Sequence, residues 1–138
     1  MTAKWQRVRI EIPERFTPQQ RDLIAQDIVD FIRERTNEQG RDKNGRKFSR
    51  YTTRYAKEKG QTFVDLTASD QMLDDLDVLS TKKGSILLGY ENGTESNAKA
   101  DGNIRGTYGQ PQPIPGKQRD FLGISQRALR EIIRRHDS

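Results

Sequence analysis

A chain of 138 residues with 33% charged and only 31% hydrophobic side chains, a net charge of +5 and a mean hydropathy of −0.99 holds one domain, 1–138, with a lean core. The absence of cysteine excludes disulfides and thiolate metal sites and suits a reducing compartment. No apolar run approaches the ~18 residues of a membrane span, and Met1-Thr2-Ala3-Lys4-Trp5 lacks the apolar stretch of a secretory signal, so no membrane partner is expected.

In chain order, Val8, Ile10 and Ile12 alternate with Arg7, Arg9 and Glu11, the period-two pattern of a half-buried strand, which Pro13 ends. Thr17-Pro18-Gln19-Gln20 has capping-box spacing with proline at the first helical position. Ile24, Ala25, Ile28, Phe31 and Ile32 follow on one stripe, predicting a helix to about Asn37 that stops by Gly40. Asn44-Gly45 marks a turn in a polar stretch. Phe48, Tyr51 and Tyr55 then predict a short helix ending near Gly60, and Met72, Leu73 and Leu76 a second one. Leu76 and Val78 lead out to a Lys82-Lys83-Gly84 turn, from which Ile86, Leu88 and Tyr90 return as a hairpin.

Residues 91–118 contain five glycines and three prolines but only Ile104, Tyr108 and Ile114 as sizeable apolar groups. So little to bury predicts an extended loop or arm, with local turns and a helical turn around 96–100, that is either mobile in the free protein or ordered by a partner; the proline arm leading into an apolar anchor favours the second. The prolines at 111, 113 and 115 stiffen it. Phe121, Leu122 and Ile124 follow as an apolar anchor, and Ser125 caps a basic C-terminal helix onto which Ile124 staples through Leu129. The fold class is α+β: a small antiparallel sheet packed against one long helix, with short helices, a C-terminal helix and long extended loop arms. Ile104, Tyr108, Ile114, Pro115, Phe121 and Leu122 are the candidate subunit-interface residues of the arm.

Charge is segregated. Residues 41–59 carry eight basic side chains against Asp42 and Glu58, a net of +6, whereas residues 65–77 carry five aspartates and no base, a net of −5. A bipolar chain can pair head to tail with its copies, which closes rings when the rotation permits; both runs equally suit plain solvated faces. Arg41, Lys43, Arg46, Lys47 and Arg50 are the candidates for a basic lining that meets DNA phosphates without sequence readout. The alternatives are a solvated loop or one docked on an acidic protein surface. Arg127, Arg130, Arg134 and Arg135 are a second basic set, although cations in a last helical turn also suit the helix dipole.

Catalytic patterns are missing. There is no G-x-S-x-G elbow, H-E-x-x-H helix or G-x-x-x-x-G-K-[ST] loop. His136, the one histidine, lies at the chain end, where fraying disfavours a general base or metal ligand. Asp74, Asp75 and Asp77 have the chemistry for Mg²⁺, but a helix-to-strand passage would make them diverge. Gly102, Gly106 and Gly109 read as loop glycines. The expectation is no enzyme, no cofactor and no metal.

Three blocks resemble those of tailed-phage virion morphogenesis proteins. Phe48-Ser49-Arg50-Tyr51-Thr52-Thr53-Arg54-Tyr55-Ala56-Lys57-Glu58-Lys59-Gly60 is similar to their F-S-x-Y-S-x-x-Y-A-x-x-K-G. Val64-Asp65-Leu66-Thr67, with Ser69 and Met72-Leu73, resembles V-D-L-T-x-T/S-G-x-M-L, and Arg119-Asp120-Phe121-Leu122-Gly123-Ile124-Ser125 resembles R-x-F-L-G-I/L-S before a final helix. Two departures stand out: Ser69-Asp70 where the family often has glycine, and no clear counterpart of its A-x-x-H-x-x-G helix in residues 91–112. The resemblance implies a non-enzymatic structural subunit of the phage neck or tail end, related to the phage Mu tail-completion protein and assembled in the host cytoplasm. Its implied partners are copies of itself in a ring, a hexamer or larger, the adjacent connector or portal-side and tail proteins, and genomic DNA in the channel. A small basic nucleic-acid-binding protein acting on its own is the alternative. Tyr51 and Tyr55 beside Arg50 and Arg54 offer it a weak aromatic-basic surface, although their helical spacing with Phe48 reads better as a buried face.

Overall fold

A computed structural model describes residues 3–37, 39–47, 70–105 and 119–137. Strand β1 (Arg7–Glu11) is followed by the long helix α1 (Pro18–Asn37), the short helix α2 (Asp70–Asp74), and strands β2 (Asp77–Lys82) and β3 (Ser85–Gly89). Helices α3 (Glu95–Arg105) and α4 (Gln126–His136) complete the described chain. The strands form one antiparallel sheet of order β1-β3-β2, so the class is α+β, with the sheet packed against several helices. The predicted helix over 48–60 lies outside the described residues.

Alternation along β1 and β3 builds the inner face. Ile10 pairs with Ile86 and Val8 with Leu88; Ile10, Ile86 and Leu88 are buried and Val8 packs on them. In β2 the register slips between Val78 and Ser80, so that Val78 faces Leu88 and Thr81, not Ser80, faces Ile86. A bulge here breaks the simple alternation expected for the hairpin. Leu76, expected to lead out along the strand, sits fully buried in the short connection before it.

The α1 start follows its sequence signature. Thr17 Oγ1 accepts the Gln20 N–H at 3.2 Å, and Gln20 Oε1 accepts the Thr17 N–H at 2.9 Å, the reciprocal capping box. Ile24, Ala25, Ile28, Val29 and Ile32 bury the helix against the sheet, while Phe31 is only half-buried. Each buried isoleucine or valine side chain contributes about 1.5–3 kcal/mol. The helix ends at Asn37, before Gly40 at φ 60°.

The main correction concerns residues 91–105, the part of the predicted 91–118 arm that the structure describes. Instead of an extended arm with one helical turn, residues 95–105 form α3, and Ile104 lies on it, half-buried against the core. Its buried face is Ser96, Asn97, Ala100, Asp101 and Gly102, which supplies hydrogen bonds in place of apolar mass. Asn97 Oδ1 accepts the Gln6 N–H at 2.7 Å and its amide donates to the Lys4 carbonyl at 3.1 Å. Asp101 Oδ1 accepts from Gln6 Nε2 at 2.9 Å. Polar satisfaction thus ties the chain before β1 to α3. Gly89 sits at that junction because a Cβ would lie 2.5 Å from the Gln6 carbonyl oxygen and 2.7 Å from Arg7 Cα. Tyr108, Ile114 and Pro115 lie outside the described residues.

Candidate functional site

The Arg41–Lys47 loop is a small hairpin. Arg41 and Lys47 form a β-bridge, Asp42 N–H donates to the Arg46 carbonyl at 2.8 Å, and Asp42 Oδ1 accepts the Asn44 and Arg46 N–H groups, each at 2.9 Å. An Asx-type turn of this kind stiffens the Asn44-Gly45 tip. The Arg41 guanidinium folds back on the Gly45 carbonyl at 2.8 Å, which leaves Arg46 and Lys47 exposed and unpaired among the described residues. Of the five predicted lining residues, four lie on this hairpin; Arg50 lies outside the described residues.

The hairpin is seated on the segment before α4. Lys43 N–H donates to the Asp120 carbonyl at 2.9 Å, and Lys43 Nζ pairs with Asp120 Oδ2 at 2.9 Å. The Lys43 stem lies over Gly123, where a Cβ would come within 3.1 Å of two of its carbons. Beneath them Arg35, 3% exposed, donates to the carbonyls of Phe121 and Gly123, the latter at 2.8 Å. Burial pushes the Arg35 guanidinium down to about 10, while Asp42 and Asp120 pull it up; it is charged at neutral pH.

This geometry revises the expected anchor. Phe121 and Leu122, expected at a subunit interface, are 0% and 7% exposed, and both belong to the protomer's own core. Ser125 caps α4 by accepting the Ala128 N–H at 3.2 Å, and Ile124 and Leu129 pack in the same core. His136 is tied down rather than frayed, its Nε2 2.6 Å from Asp27 Oδ2, and Asp137 pairs with Arg15. α4 therefore runs antiparallel to α1. Leu129 and Ile132 face inward while Arg127, Arg130 and Arg134, on the spacing of one helical stripe, are exposed.

Across α1 the chemistry reverses sign. Arg33 donates to the carbonyls of Leu73, Asp74 and Leu76 at 2.9, 2.8 and 2.7 Å, closing the end of α2. Arg33 and Arg35 point about 200° apart around the helix, so α2 and the 119–123 segment flank α1 on opposite sides. Asp74, Asp75, Asp77 and Glu91 are all exposed on the α2 and β2 side. Asp75 accepts hydrogen bonds from Ser96 Oγ and Gln71 Nε2, which hold its carboxyl below the ordinary carboxylate range. Asp77 Oδ1 accepts its neighbour Val78's N–H. Among the described residues no three His, Cys, Asp or Glu side chains are grouped to hold a metal ion, and no helix is long and apolar enough to cross a membrane.

Sequence reasoning missed Arg35, Arg33 and Asn97. The first two looked like solvated helix positions, and only the stripe-edge place of Arg35, three residues beyond Ile32, hinted at burial. Thr94-Glu95-Ser96-Asn97 did carry a helix-start signal: Thr94 Oγ1 accepts the Asn97 N–H at 3.2 Å. No family model, curated protein or solved structure matches the chain.

Proposed function

We propose that this chain is a non-enzymatic structural subunit of a tailed-phage neck or tail-end ring, joining head to tail around the DNA channel of the virion. The observation that carries the reading is the separation of charge across α1, a stiff basic hairpin on one side and an exposed, mainly acidic face on the other. Such a subunit meets its copies through complementary faces and turns cationic side chains to passing phosphates. The three sequence blocks that resemble virion morphogenesis proteins, in the same order, give the reading its biological setting. Adjacent connector, portal-side and tail proteins are its further partners, and it needs no cofactor. The test is particle morphology. Assembly without this protein is expected to give tail-less heads beside free tails; normal particles would exclude the joining role.

The exposed arginine stripe of α4, together with Arg46 and Lys47, favours a second reading, a basic protein that binds nucleic acid on its own. Mass in solution and salt-dependent DNA binding separate the two. A monomer with tight binding supports the second, a large oligomer with weak, salt-sensitive binding the first.

A further inference from the structure

Beside strand β2 lies a groove of about 830 Å³ that nothing above explains. Trp5, Leu79 and Leu87 contribute its apolar surface, and Asp75, Asp77 and Glu91 its acidic rim. Trp5 is one of two large hydrophobic side chains exposed among the described residues, 36% exposed, and is held in place by its indole N–H on the Tyr90 carbonyl and by the Arg7 guanidinium 4.0 Å from its ring centroid. β2 is also an outer strand of the sheet, with β3 as its one strand neighbour among the described residues.

We propose that this groove is the docking site for a second copy of the chain, which inserts its Arg41–Lys47 hairpin with Arg46 and Lys47 at the acidic rim. Three observations select this occupant. The rim carboxylates of Asp75, Asp77 and Glu91 are exposed and accept only hydrogen bonds from neutral groups where they are bonded at all, while the Arg46 and Lys47 side chains have no partner among the described residues of their own protomer. Because the hairpin and the α2–β2 side flank α1 oppositely, one protomer cannot satisfy itself, and the contact is heterologous. The hairpin is already fixed by Asp42 and the Arg41–Lys47 bridge, so little conformational freedom remains to be lost on insertion. Repeated head to tail, the contact closes a ring or extends a filament. The inference deepens the ring-subunit reading and rests on it only for its biological setting.

Two charge-reversed variants of the full chain test it, Asp77→Lys/Glu91→Lys in the groove and Arg46→Glu/Lys47→Glu in the hairpin, with circular dichroism checking that each folds. Sedimentation at low salt is expected to show the parent chain associating and each variant alone doing so at least about tenfold more weakly. In a mixture, reversed grooves meet reversed hairpins and unreversed grooves meet unreversed hairpins, so association returns at one-to-one composition. A parent chain that stays monomeric at its highest soluble concentration overturns the proposal, as do variants that associate like the parent or a mixture that does not recover. A groove that binds a lysine-rich peptide while the chain remains monomeric overturns it in favour of a foreign basic partner. Association that ignores the groove variants removes this interface and leaves the neck reading in place. Normal particles assembled without the protein remove that reading and leave the interface.

Discussion

Arg35 shows how one side chain decides the shape of the basic side. Its guanidinium is buried with two main-chain carbonyls as acceptors and no carboxylate in hydrogen-bonding contact. The stabilisation comes from satisfying the Phe121 and Gly123 carbonyls, which would otherwise lie buried without partners, and it offsets the desolvation of the cation. Arg35→Met keeps the length and apolar stem but removes both bonds. It is expected to lower unfolding stability by about 2–4 kcal/mol, read as a reduced urea midpoint, and to loosen the hairpin seated above. An unchanged midpoint would mean that the carbonyls find other donors. From the sequence only the stripe-edge place of this residue sets it apart from its solvated neighbour Glu34, since burial of an arginine depends on carbonyls that arrive from 86 and 88 residues further along the chain.

At the scale of elements, legibility followed the source of the binding energy. β1, α1, the hairpin and α4 announce themselves because apolar side chains recur at the strand or helix period, and caps at Thr17 and Ser125 fix two starts. α3 was hidden because its buried face is amide, carboxylate, hydroxyl and small side chains, so no period of hydrophobicity marks it. The bulge in β2 was hidden for a related reason, since alternation in one strand says nothing of slippage against its partner. The apolar contact between α2 and α3 has a polar bond at its edge, and this makes the junction sensitive to acid. Asp75, the residue after α2, accepts from Ser96 of α3, and that bond, with the one from Gln71, depresses its carboxyl pKa below the usual 3.8. A depressed carboxylate contributes its full stability above its unfolded value and loses it as pH falls through the folded one. The stability difference between the parent and Asp75→Asn should thus be constant above about pH 5 and shrink below pH 3.8. Urea midpoints measured across acid pH would show this; a difference that does not shrink would locate the acid sensitivity in other carboxylates.

For the whole molecule, the decisive question is what the C-terminal segment completes. An apolar cluster after a proline-rich stretch reads from sequence as an anchor for a neighbour, and the period of hydrophobicity cannot say whose core it enters. Phe121 enters its own: it is fully buried, Leu122 and Leu129 join it, and Arg35, Lys43 and Asp120 lock the surrounding backbone. The closing segment is therefore part of the monomer's stability, and the basic hairpin takes its position from that closure. Phe121→Ala is expected to destabilise the isolated chain by about 3–5 kcal/mol, with faster hydrogen exchange through residues 119–137 and a displaced hairpin. An interface anchor would behave in the opposite way, leaving the monomer's unfolding unchanged and weakening only association. Measuring both on the same variant, at low protein concentration where copies are apart, assigns the loss to one or the other. Loss of monomer stability is the result that the burial of this ring requires.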